Sequence, residues 1–430
     1  MNTDLARRDF ITQFAKTCLG VSLVPPASLA FALDSGDKSS AEKHAQHVIY
    51  LFMRGGMTHL DTFDPKPEAP ADYQGQTTSI ETKADDVRIS NAFPKLAKEA
   101  GKIAFIRSMS HTQGAHEQGV YKVLTGFELA GTMQHPALGA WVARQATGGH
   151  GSLPAYIRLG GLANHPGAGF MDARWAPVPV SDASKGIEHT QLAKGDSMSG
   201  LRKRLGFADK LNSGFLDQFN SPDIRAHTET YSEAIRLMSS KDLEAFDLNK
   251  EKSKFKSDYG DNPFGQGLLL ARRLVERGTK FVEVELGGWD THSNNWSTVA
   301  RLGKMVDEAV ATLLKDLEAK GLLETTMVVL TTEFGRTPRI SGTGRDHYPI
   351  AFSSFIAGGG VKGGQAYGAT DATGEHVKEN PVSVLDFHAT VGALLGIDPM
   401  QTIPSGSGGD FNIYGGTGAK RGKAIKELVA

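Results

Sequence analysis

Acidic and imidazole side chains gather between residues 281 and 347 at places where they could share one cation. The run FVEVEL, Phe281–Leu286, leads into GGWDTHSNN, which carries Asp290 and His292. The apolar MVVLTT, Met327–Thr332, leads into Glu333, and a Gly-rich loop closes on GRDHYP with Asp346 and His347. Carboxylate oxygens and imidazole nitrogens suit a divalent metal such as zinc or manganese. An Asp-x-His pair alone also fits a plain polar loop, with an Asp capping a turn beside an exposed His. Recurrence of Glu333 and His347 after the next strand favours the shared ion. Glu333 reads as a ligand, or as a structural acid with Arg336 as partner three residues on. Asp346 reads as the acceptor that orients a metal-bound His347. Asp61 and His59, in the MTHLDTFDPKPE loop after an earlier strand, are further candidate ligands.

Side chains so distant in sequence meet only if strands deliver them to one edge of a sheet. His47–Met53 (HVIYLFM), Lys102–Arg107, Pro154–Leu159, Lys280–Leu286, Met327–Thr332 and Ile350–Ala357 read as buried strands. Helices alternate with them. The segment Ser297–Lys320 puts Val299, Leu302, Val306, Ala309, Leu313 and Leu317 on one stripe, the mark of a helix lying on a sheet. Shorter helices are expected over Phe93–Ala100, Ala137–Gln145, Gln266–Arg277 and Val384–Leu395. The alternation predicts an α/β fold with a mostly parallel central sheet flanked by helices. Residues 181–261 are charged and helix-prone and read as a helical insertion. After the second strand, SMSHTQGAHEQGVYKVLTG opens a helix whose N-terminal side carries His111, Thr112, His116 and Glu117.

The chain has 430 residues, of which 40% are hydrophobic, enough for a sizeable core. A formal net charge of -1 gives no global steering toward nucleic acid or anionic membrane. Arg7 and Arg8 precede Asp9, Phe10 and a modest apolar run, and Ala30-Phe31-Ala32 supplies a small-x-small cleavage pattern. Residues 1–32 therefore read as a twin-arginine signal peptide, residues 33–46 as a tether, and 47–430 as the folded domain. The twin-arginine export machinery is then a partner and the periplasm or the exterior the destination. Lys16 interrupts the apolar run, and no later stretch is long and apolar enough to be an integral membrane segment. The single cysteine, Cys18, lies inside the signal, so the mature chain has neither disulfides nor thiolate ligands.

The motifs together resemble a known family. RRDF, GGMTHLDTFDPKP, HEQGVYKVLTG, ARRLVERGTKFVEVELGGWDTHSNN and TTEFGRTPRISGTGRDHYP look like the exported DUF1501 family, itself similar to sulfatases in the alkaline-phosphatase-like superfamily. The resemblance spans nearly the whole mature chain and is loose over the helical insertion. The closing VLDFHATVGALLG is similar to the C-terminal helix of sulfatases. It implies an alkaline-phosphatase-like domain with a metal site built from several strand-end loops. GGWDTH then takes the place of Asp and His ligands, TTEFG replaces an Asp-His-Gly through Glu333 and Phe334, and GRDHYP supplies His347. The superfamily hydrolyses phosphate or sulfate esters, with metal ions polarising the ester.

This chain departs from the superfamily pattern in three places. Arg54 stands where an Asp usually follows the first strand, so Asp61 or His59 would substitute. Phe334 removes one imidazole. In the register of the Ser, Thr or modified Cys nucleophile lies His116, with Thr112 a little earlier. His116 and Thr112 are the candidate catalytic residues, His116 as base or ligand and Thr112 or a water as nucleophile. The expected function is an exported metal-dependent ester hydrolase acting on a small-molecule or glycan ester. The alternative is a non-catalytic metal-containing relative that binds an anionic ligand, a glycan or a secreted partner.

Overall fold

The computed structural model describes residues 45–129, 131, 133–145, 151–161, 163–187, 192, 195–219, 235–406, 409–417 and 421–430. The expected signal peptide, residues 1–32, and most of the expected tether lie outside the described residues. At the tether's end Ala45 is already buried, its N–H donating to Leu394 O, and Gln46 N–H donates to Thr325 O. The fold thus starts two residues earlier than expected.

Apolar runs become the strands of one sheet. In chain order they are β1 His47–Met53, β2 Ile103–Ser110, β3 Tyr156–Leu159, β4 Val178–Val180, β5 Phe281–Leu286, β6 Thr326–Thr331, β7 Phe352–Ala357, β8 Gln365–Tyr367 and β9 Val382–Ser383. Their spatial order is β8-β2-β7-β6-β1-β5-β3-β4, with β9 also paired to β2. β1 lies at the centre, parallel to both β5 and β6, with Leu51 opposite Val284 on one side and Leu330 on the other. Every residue of β1 is buried, as a strand covered on both faces requires.

The pleat sends alternate β1 residues to opposite faces. Ile49, Leu51 and Met53 join the core under helices α4 (Pro263–Glu276) and α5 (Asn295–Ala319). Val48, Tyr50 and Phe52 join the core under α1 (His116–Thr125), α2 (Leu138–Gln145) and α6 (Val384–Leu394). The predicted stripe on α5 is buried at all six of its named positions. The ends of α4 and α6 are set by local chemistry. Asn262 caps α4 ahead of Pro263, and Ser383 with Asp386 forms a reciprocal capping box on α6.

Several expectations are corrected. The strand expected from Ile350 begins at Phe352 and runs antiparallel to both its neighbours, β2 and β6. The helix expected over Phe93–Ala100 is a 3-10 segment, Leu96–Lys102. Between β1 and β2, Ser79–Glu81 pairs with Arg88–Ser90 as a small hairpin that is not among the strands expected from the sequence. The helical insertion holds α3, Met198–Phe219, and a short helix, Ser253–Tyr259, with no strand among the described residues of 181–261. No described helix is long and apolar enough to cross a membrane.

β1, β2, β5 and β6 all point the same way, because β7 is antiparallel to both β2 and β6. Their C-terminal ends therefore share one edge, and the strand-trailing loops meet there.

Candidate metal centre

Four loops supply the centre. Asp290 and His292 follow β5, Glu333 follows β6, and His116 opens α1 after β2. His347 returns through a two-residue ribbon in which it pairs with Arg336 and Tyr348 pairs with Gly335. Ligand atoms of His116, Asp290 and His347 lie within 4.8 Å of one another. His116 Nε2 is 3.3 Å from Asp290 Oδ2, and His347 Nε2 is 3.3 Å from Asp290 Oδ1. His292 Nε2 joins them, 3.1 Å from Asp290 Oδ1 and 3.1 Å from His347 Nε2.

The far side of each imidazole settles its tautomer. His116 Nδ1 lies 2.9 Å from Glu333 Oε1, His292 Nδ1 2.8 Å from Asp346 Oδ1, and His347 Nδ1 2.7 Å from Gly114 O. A carboxylate or carbonyl oxygen only accepts, so each Nδ1 carries the proton and donates it. In a neutral ring each Nε2 then carries a lone pair on the side facing the Asp290 carboxylate. His292 Nε2 and His347 Nε2, 3.1 Å apart, must share either a proton or a cation. His116 Nε2 is in addition buried with no hydrogen-bond partner among the described residues. A metal ion answers both features, and imidazole held from behind by an oxygen is the usual way a metal-binding His is fixed.

The electrostatics pull in different directions. The Glu333 hydrogen bond raises the pKa of His116, against burial, which lowers it, so an ion bound there competes with a proton on Nε2. Burial alone would raise the Asp290 carboxyl, but the Arg336 guanidinium bonded to it outweighs this and holds it below its ordinary range. Burial lowers His347, favouring the neutral imidazole that a metal requires.

The remaining candidates have other places. Glu333 is fully buried, yet its oxygens are occupied: Oε1 accepts from Gly55 N–H and His116 Nδ1–H, and Oε2 from the Thr332 hydroxyl. It stands behind His116 rather than among the donors. Gly55 comes this close because it has no side chain. At φ 121° an added Cβ would sit 2.4 Å from Asp290 N. Asp346 orients His292, not His347 as expected. Arg336 pairs with Asp290, not with Glu333.

Asp61 and His59 are not brought into the cluster. Asp61 is buried against the equally buried Arg345 at 2.7 Å and also accepts from Asn295, Thr58 and Thr77. His59 is buried with Nε2 2.9 Å from Gly374 O, and burial lowers its pKa to about 4. Thr112 is exposed, its hydroxyl accepting from the Gln113 side chain, and it touches none of the clustered ligands. Two contributors escaped the sequence. Gly114 acts through its carbonyl, which no side-chain pattern marks, and Arg345 lies 284 residues from the acid it neutralises.

Two outcomes separate ligand from scaffold. Asp61→Ala leaves Arg345 buried and unpaired, which should destabilise the fold by roughly 3–5 kcal/mol in denaturant titration while metal stoichiometry is kept. Asp61 has a lowered native pKa: burial raises it, but Arg345 prevails. Its stabilising contribution is therefore full above the ordinary carboxyl value of 3.8 and is lost as pH falls through the native value. Glu333→Gln should instead weaken divalent-metal affinity by about 10–100-fold in calorimetric titration, the cost typical of losing a group that fixes a ligand.

Comparison with known proteins identifies the family. No curated protein matches the chain. Among solved structures it is similar to the PsFucS1 sulfatase from Pseudoalteromonas sp., with 12% identity and a TM-score of 0.40 over 85% of this chain and 70% of that one. A putative sulfatase from Bacteroides thetaiotaomicron gives 10% identity and a TM-score of 0.38 over 84% and 72%. The lipoteichoic acid synthase LtaP from Listeria monocytogenes gives 8% and 0.38 over 87% and 77%. These likenesses are distant. The sequence match is decisive: residues 45–429 fit the family described as protein of unknown function (DUF1501), and the chain belongs to that family.

Proposed function

We propose that this protein is an exported metal-dependent hydrolase of phosphate or sulfate esters. The observation that carries the reading is the clustering of His116 Nε2, His347 Nε2 and the Asp290 carboxylate, with His292 Nε2 3.1 Å from Asp290 Oδ1 and each ring hydrogen-bonded from behind. Three nitrogens and a carboxylate oxygen suit zinc or manganese. When bound, such an ion polarises an ester oxygen and lowers the pKa of a water.

The chain's own residues do the rest. Glu333 keeps His116 in the Nδ1–H form, and Asp346 and the Gly114 carbonyl do the same for His292 and His347. Phe334, fully buried, packs on His116 and His347 with ring centroids 5.1 and 4.7 Å away, and so closes the inner side of the centre to water. Asp290 and His292 are exposed, so substrate enters from their side. No Ser or Thr hydroxyl touches the cluster among the described residues, which favours water over Thr112 as the nucleophile. His116 then serves as a ligand rather than as a base.

Purified protein loaded with zinc or manganese should hydrolyse generic phosphate or sulfate esters, and a chelator should abolish the turnover. His347→Ala should lose both ion and activity. Tight metal binding with no turnover on either ester panel would instead favour the non-catalytic reading, a metal-containing relative that binds an anionic ligand.

The destination is part of the proposal and rests on Arg7-Arg8, the apolar run and Ala30-Phe31-Ala32. Replacing both arginines by lysine should leave the uncleaved chain in the cytoplasm on fractionation. Unchanged export of that variant would remove the twin-arginine route.

A further inference from the structure

Arg336 has no side-chain exposure, and each of its nitrogens is used. Nε donates to Gly56 O at 2.9 Å, Nη1 to Arg345 O at 3.1 Å, and Nη2 to both Gly55 O and Asp290 Oδ1. The guanidinium thus sits in a cage of four oxygens, three of them backbone carbonyls and the fourth belonging to the carboxylate on which the imidazoles converge. Carbonyl and carboxylate oxygens grouped this way are the donor set of a hard divalent cation. A guanidinium cannot be deprotonated in a protein, so the cage permanently holds a positive charge.

The neighbours leave no other room for an ion on that side. Both Glu333 oxygens are engaged by donors from the chain. The Phe334 ring fills the space against Gly56 and Gly119, where an added Cβ would come within 2.6 and 2.9 Å of it. Arg54, just past the end of β1, is paired with Glu285 at 3.5 Å.

We propose that Arg336 is the built-in second cation of this centre and that it limits the site to one metal ion. It acts as a positioning residue, holding Asp290 Oδ1 on the side away from the imidazoles and supplying the charge a second ion would otherwise bring. This inference rests on the metal-centre reading above, and its test separates the two.

Apo protein is saturated with manganese or zinc, desalted, and its ions counted by native mass spectrometry and elemental analysis. One ion per wild-type chain is expected. Arg336→Ala opens the oxygen cage and should retain two manganese ions, and millimolar guanidinium added to that variant should return the count to one. Arg336→Lys, which keeps the charge, should hold one. Two ions in the wild-type chain would overturn the inference and leave the metal centre standing, whereas no ion would remove both. A count of one in Arg336→Ala, with or without guanidinium, would also overturn it. Should Arg336→Ala fail to fold, Arg336→Gln, which removes the charge and keeps most of the volume, takes its place: two manganese ions uphold the inference and one overturns it.

Discussion

Shared strand direction is the constraint on which this molecule depends. β1, β2, β5 and β6 point the same way, so whatever follows each of them arrives at the same edge. Parallel pairing needs crossovers, and the crossovers are the helices that cover both faces and bury β1 completely. Core and centre are therefore one construction. The apolar layers that make the strands inaccessible to water are what hold His116, Asp290, His292 and His347 in register with one another.

Charge is distributed in two separate settlements. In one, Asp61 and Arg345 neutralise each other out of contact with water, joining the loop after β1 to the loop that ends in His347. In the other, Asp290 receives Arg336 on one oxygen while facing the Nε2 atoms of three imidazoles. The first is complete as it stands. The second lacks positive charge at its middle, and that difference marks Asp290, not Asp61, as the carboxylate of the centre.

Much of the architecture is legible in the sequence because it rests on local regularities. HVIYLFM is a short apolar run rich in β-branched and aromatic residues, FVEVEL alternates Val with Glu, and the α5 stripe has the period of a helix on a flat surface. The reversed direction of β7 is not legible, since Phe352–Ala357 has the same composition as a parallel strand. The pairing of β4 and β8, only three residues each, depends on neighbours brought from elsewhere. At the site, Asp290, His292 and His347 were readable because their residue types and their place after strands coincide. Asp61 looked equally suitable, and only its distant partner distinguishes it. Glu333, which reads as a ligand or as an acid paired with Arg336, is set by the fold behind His116. Sequence spacing placed Arg336 nearest to it, whereas the fold carries that guanidinium across to Asp290.

The donors come from opposite halves of the chain, His116 on one side and Asp290, His292 and His347 on the other. An unfolded polypeptide offers no two of these halves together, so it has nothing with which to capture an ion tightly. Loading follows folding, in whichever compartment the sheet closes. A chain that crosses a membrane already folded would then carry the metal of its birthplace, chosen from the ion pool on that side and not from the one it enters.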